Sequence, residues 1–312
     1  MGTLSTVSTH PHAATHWHTP EAGARRLAAA LVLILAFMVG EVVVGVTAHS
    51  LAVLSDAAHM LTDAGALGLA LVAMRLAARP PEGGFTYGLK RAEILSALAN
   101  GVTLVVLAAL IVVEAGRRLA APAPVEARAV LAIALVGMLV NAAATWQLAH
   151  AGRHSLNVEG GYRHLLTDLW AFAGTAVAAV VILQTGFLRA DAIASVAVAA
   201  LMLGAAYTLI REAGRALLEA APAGLNPQLI GETLVAHPHV ANVHDLHVWE
   251  ITSGFPALSA HVLVHPGDDC HAIRLEMERL VHERFGIEHT TLQVDHTTDD
   301  RVRMLGRLGD GD

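Results

Sequence analysis

Six long apolar runs fill the first two thirds of the 312-residue chain, at Leu27–Thr47, Leu51–Leu76, Glu93–Glu114, Ala129–Ala149, Leu165–Leu183 and Ala190–Ile210. Each is close to the roughly 20 residues that a helix needs to cross about 30 Å of hydrocarbon. Turn residues fall between them: Arg79-Pro80-Pro81-Glu82-Gly83-Gly84, Pro122-Ala123-Pro124 and Gly186. Packed as soluble helices, all six would have almost no polar face, so the pattern predicts six transmembrane helices. The few polar interruptions include Glu41, Asp56, Asn100, Asn141 and Asp191. The two asparagines are expected to hydrogen-bond between helices.

After Ile210 the pattern changes. Asn226-Pro227 predicts a helix start, with Asn as cap and Pro at the first helical position, running to about His237. Val240–Thr252 and Pro256–His265 are β-branched and partly alternating, as strands are. Asp268 and Asp269 open a helix with apolar Ile273, Met277, Leu280 and Val281, which Gly286 ends. Thr290–Val294 reads as a last short strand. The order αββαβ in so few residues predicts a compact ferredoxin-like α+β domain. The chain therefore divides into a tail at 1–24, a membrane domain at 25–211, a second domain at 212–297 and a disordered tail at 298–312. The first tail carries His10, His12, His16 and His18 but no basic-then-apolar signal-peptide pattern. Such a tail either holds metal loosely or is a passenger.

Composition agrees: charged residues make up 15%, against about 25% in soluble domains, and the apolar excess is Ala, Leu and Val. A disordered, collagen-like or disulfide-stapled chain is excluded, and the lone Cys270 forms no intramolecular disulfide. Charge is uneven. Residues 1–211 carry 13 basic and 11 acidic side chains, whereas 212–312 carry 7 and 16. That acidic end suits multivalent cations and is a poor match for nucleic acid. Arg25, Arg26, Arg75, Arg79, Lys90, Arg91, Arg153, Arg163, Arg211 and Arg215 fall at one set of segment ends. Only Arg117, Arg118, Arg128 and Arg189 fall at the other. The positive-inside rule then puts both termini in the cytoplasm.

Two pentapeptides carry the chemistry: His59-Met60-Leu61-Thr62-Asp63 in the second run and His164-Leu165-Leu166-Thr167-Asp168 opening the fifth. Residues i and i+4 share a helix face, so each run offers one imidazole and one carboxylate to a single point. Together the runs supply two nitrogens and two oxygens, a tetrahedral set that suits Zn²⁺. An Asp at the bilayer centre costs about 2.5–3.5 kcal/mol even by the lower scales, and a divalent cation would neutralise both carboxylates. Asp56, three residues before His59, either lines the access path or orients a ligand histidine. Metal ligands must be deprotonated, so protons and metal compete for the site. An intramembrane zinc protease needs an HExxH pair, but Met60 and Leu165 stand where its glutamate would be. No GxxxxGK loop followed by Ser or Thr appears, so nucleotide drive is not expected. A membrane-anchored zinc sensor is the remaining alternative. It would explain the acidic domain but not four ligands in apolar helices.

With these residues in view, the chain resembles the cation diffusion facilitators, zinc/proton antiporters, and among them the bacterial zinc-efflux branch. The resemblance runs from about Leu27 to His296. Ser50 through Asp63, Tyr87-Gly88 with Arg91-Ala92-Glu93, His164 through Asp168, and His244-Asp245-Leu246-His247-Val248-Trp249 carry it. It implies that His59, Asp63, His164 and Asp168 bind the transported ion. It further implies a homodimer in the cell inner membrane that is not an enzyme. Such a dimer exports Zn²⁺ by alternating access against inward protons, with Cd²⁺, Co²⁺ and Ni²⁺ open as the main cargo. A cytoplasmic metal-binding and dimerisation domain is implied as well, holding regulatory zinc. The matching positions are His244, His261, His271, His289 and Asp295, while Gln293 stands where some members have a further histidine. Arg79–Leu89 has Glu82 but no Asp or His, so an extra loop metal site of some members is expected to be absent. Arg91 and Glu219 match a basic–acidic pair at the junction of the two domains.

Overall fold

The structure, a computed structural model, describes residues 20–47, 51–122, 126–150 and 156–297. His10, His12, His16, His18 and residues 298–312 lie outside them. Six long helices come first: α1 (Pro20–Thr47), α2 (Leu51–Ala77), α3 (Ala92–Ala120), α4 (Ala127–Ala149), α5 (Leu156–Thr185) and α6 (Arg189–Leu217). An uninterrupted apolar run in hydrocarbon can satisfy its backbone only internally, which selects the helix. Among the described residues, α3, α4, Val158–Thr185 of α5, and α6 are long and apolar enough to cross a membrane. Leu110, Leu139 and Val177 point outward, as lipid-facing positions do. Helix α1 begins at Pro20, inside the stretch read as tail, because proline has no N–H to lose at a first helical position. Helix α6 continues past Ile210, packing Ala213 and Ala216 against Ile94 of α3.

Helix α3 packs along α6, α4 along α5, and α1 along α2 and α4. Small residues permit this closeness. A Cβ at Gly137 would sit 2.5 Å from Cε1 of Phe172, and one at Gly101 would sit 2.7 Å from Cγ1 of Ile210. Gly137 also leaves its carbonyl reachable. Asn141 Nδ2 donates to it at 3.1 Å, so the bond lies within α4 and not between helices as expected.

The second domain is α7 (Pro227–Val235), β1 (Val240–Thr252), β2 (Phe255–Val264), α8 (Cys270–Phe285) and β3 (His289–His296), the predicted αββαβ order. The sheet runs β1-β2-β3, antiparallel and then parallel. The parallel pair needs a crossover, which α8 provides. Asn226 accepts from the Gln228 N–H at the start of α7. Asp269 accepts from the N–H groups of His271 and Ala272 at the start of α8, and Gly286 ends that helix at φ 67°. Ile230, Leu234, Leu258, Val262, Met277 and Val281 fill the core, so both helices cover one sheet face. The hairpin end of the sheet meets the loop before α3. Thr252 Oγ1 donates to the Lys90 carbonyl at 3.1 Å, the Tyr87 hydroxyl is hydrogen-bonded to His289 Nε2 at 3.4 Å, and Arg91 pairs with Glu219 at 3.0 Å.

Candidate metal centre

Asp63 comes from α2, and His164 and Asp168 from one face of α5. All three are buried in the helical bundle. His164 Nε2 lies 2.9 Å from Asp63 Oδ1 and 3.6 Å from Asp168 Oδ2. Among the described residues this is the one group of three or more His, Cys, Asp or Glu whose ligand atoms all fall within 4.8 Å of one another. A carboxylate only accepts, so Nε2 carries the hydrogen in the 2.9 Å contact. A cation bound by the same nitrogen must displace that proton, which couples the two chemically. His59 occupies α2 one turn before Asp63, and its side chain lies outside the described residues, as do those of Asp56 and Glu41.

A second charge group adjoins this centre, built on an arginine that in the sequence serves only as an orienting charge. Arg163, the residue before His164, donates through Nε to Glu159 at 2.6 Å and reaches Glu212 of α6 at 3.7 Å. Its carbonyl accepts from the Thr167 hydroxyl at 2.8 Å. The i, i+4 spacing of Glu159 and Arg163 was the available signal. Glu212, on another helix, left none.

In the second domain, His244 and His261 are cross-strand partners with ring centroids 5.3 Å apart. A register shift between His244 and His247, with Asp245 at φ 53°, puts Asp245 between histidines. Asp245 lies 2.8 Å from His247 Nε2 and 4.0 Å from His261 Nε2. The His247 hydrogen bond holds its carboxyl below the usual range, assisted by the charges of His261 and His244. Gln293 pairs with His261 in the parallel register, and Asp295 accepts from the Gln293 amide at 3.0 Å. His271 is in the first turn of α8. His289 stands apart. It pairs with Ala257, four positions from His261, or about 13 Å along the strand, and its ring meets Tyr87 and Phe255.

Residues 27–218 match the cation efflux transmembrane domain, and residues 222–297 match the cation efflux protein cytoplasmic domain. The chain belongs to the cation efflux family. It is 39% identical to the zinc transporter ZitB of Escherichia coli, over 92% of each chain. It is 33% identical to the cadmium, cobalt and zinc/H⁺-K⁺ antiporter of Bacillus subtilis, over 92% of this chain and 94% of that one. The solved metal-bound C-terminal domain of the CzcD transporter from Cupriavidus metallidurans is 29% identical, with a TM-score of 0.22, covering 23% of this chain and 99% of that one.

Proposed function

We propose that this protein exports a divalent cation, Zn²⁺ foremost, from the cytoplasm in exchange for protons, using Asp63, His164 and Asp168 with His59 as the transport site. The observation that carries the reading is the position of His164 Nε2 between two buried carboxylates. Two buried negative charges call for a cation, and the imidazole nitrogen that would bind it holds a proton in the same place. Protons and metal therefore compete for the same imidazole nitrogen, and protonation of that nitrogen ejects the metal. Mixed nitrogen and oxygen donors suit zinc over harder cations such as manganese. The names of the relatives agree: one transports zinc, and another exchanges zinc, cobalt or cadmium for protons and potassium.

Six spans, a homodimer in the inner membrane and cytoplasmic termini complete the reading. They are supported by the apolar helices, the Lys/Arg asymmetry and the match to the cytoplasmic domain. The membrane domain takes 25–211 and the cytoplasmic domain 212–297, between the two tails. His244, His261, His271 and Asp295 bind regulatory zinc there, with His289 assigned to that set only if the dimer brings it near. Proteoliposomes with an interior zinc reporter test the transport reading. Zinc uptake should follow an imposed proton gradient and collapse with a protonophore. Uptake indifferent to the gradient would overturn the exchange.

A further inference from the structure

The membrane-distal end of the three-stranded sheet gathers a second set of metal-ligating side chains, separate from the His244–His261 pair. Val240, Val264 and His296 lie side by side there. The site is about 30 Å from the hairpin end, counting nine steps of β2 at about 3.3 Å each. His239 Nδ1 is 3.2 Å from Asp268 Oδ2, the rings of His237 and His239 are 5.9 Å apart, and His296 Nε2 donates to the Asp268 carbonyl at 2.9 Å.

The hydrogen bonds around these imidazoles point to a cation. A metal-binding histidine typically donates its other ring N–H to a carboxylate or carbonyl, which leaves the opposite nitrogen as a lone pair. His237 does so. Its Nε2 donates to Glu276 Oε2 at 3.2 Å, and its Nδ1 is buried with no hydrogen-bond partner among the described residues. His296 repeats the arrangement with the Asp268 carbonyl and keeps Nδ1 as its lone pair. The separation of 3.2 Å between His239 and Asp268 matches two ligands on a tetrahedral metal with bonds of about 2.0–2.2 Å.

We propose that His237, His239, Asp268 and His296 form a further divalent-cation site at the membrane-distal pole of the cytoplasmic domain. Imidazole donors with one carboxylate select a borderline cation of the zinc and cobalt kind over magnesium or calcium. Convergence of the other donors on the His239–Asp268 pair requires side-chain rotation, which the exposed His296 permits. The site does not depend on the transport reading, because none of its residues lies in the helices that would move the cargo.

Full-length protein in detergent tests the proposal by Co²⁺ titration. The background carries Asp63→Asn, Asp168→Asn, His244→Ala and His261→Ala, which silence the other two groups. A cobalt ion per chain with tetrahedral ligand-field bands is expected. It should be lost in His239→Ala and in Asp268→Asn but kept in His282→Ala. An unchanged count and spectrum in both of the first two variants would overturn the site. A second measurement needs no substitution: Zn²⁺ should slow carbethoxylation of His239 and His296 in the unmutated protein, read by mass spectrometry, relative to His282. Equal rates with and without Zn²⁺ would also overturn it.

Discussion

Replacing Asp63 with asparagine keeps the volume of the side chain and removes one of the two carboxylate charges of the proposed transport site. The side chains of His164 and Asp63 are 8% and 5% exposed at their 2.9 Å contact, so water screens it little. Removing one partner of a buried charged pair costs about 3–5 kcal/mol. A cation held between the same groups should lose a comparable amount. At about 1.4 kcal/mol per factor of ten, the apparent affinity for Zn²⁺ should fall by roughly two to three and a half orders of magnitude. The assay is the initial rate of zinc uptake into proteoliposomes across a range of zinc concentrations, with orientation and amount of protein matched. The same loss of a buried partner should lower the melting temperature in detergent, so rates are compared well below the variant's own unfolding transition, where a lost rate reports the site. Asp168→Asn should impair transport similarly, its carboxylate lying 3.6 Å from the same imidazole. Uptake by Asp63→Asn within about threefold of wild type, less than 1 kcal/mol, would refute the assignment.

Four further outcomes follow from packing and charge. Gly137→Ala places a methyl 2.5 Å from the Phe172 ring and should cost about 1–3 kcal/mol as overpacking. The melting temperature should fall and be partly restored by Phe172→Leu. Met277→Ala empties a fully buried position of the second domain and should cost about 2–5 kcal/mol, seen as proteolysis of that domain at lower temperature. Burial holds the Glu250 carboxyl above the usual range, against the Gly254 N–H that donates to it at 2.6 Å. Its penalty is absent below the ordinary carboxylate range and complete above the raised one, so it destabilises the fold at neutral pH. Asp245 has the opposite sign, stabilising above the ordinary range and losing that contribution on acidification. Glu250→Gln should therefore raise the melting temperature at neutral pH and flatten its fall with rising pH, whereas Asp245→Asn should flatten the loss on the acid side.

Much of the fold was legible because its causes are local. Apolar runs without internal proline predict the six helices, and alternation with Asn226 and Asp269 as helix starts and Gly286 as a stop predicts the αββαβ domain nearly to the residue. The i, i+4 spacing likewise places His164 and Asp168 on one helix face. What periodicity does not contain is distance between elements. That Asp63 reaches His164, 101 positions further along the chain, depends on how α2 settles against α5. Glu212 meets Arg163 for the same kind of reason. Asn141 turns to its own helix because the packing that demands Gly137 also bares a carbonyl. In the second domain a local register shift turns Asp245 toward His247 and His261, and the parallel pairing of β3 carries His289 away from them toward Tyr87. Helix and strand identity follow from backbone hydrogen bonding within a few residues and can be read along the chain. The sites follow from close packing of segments far apart in sequence, and only the folded chain decides which imidazole meets which carboxylate.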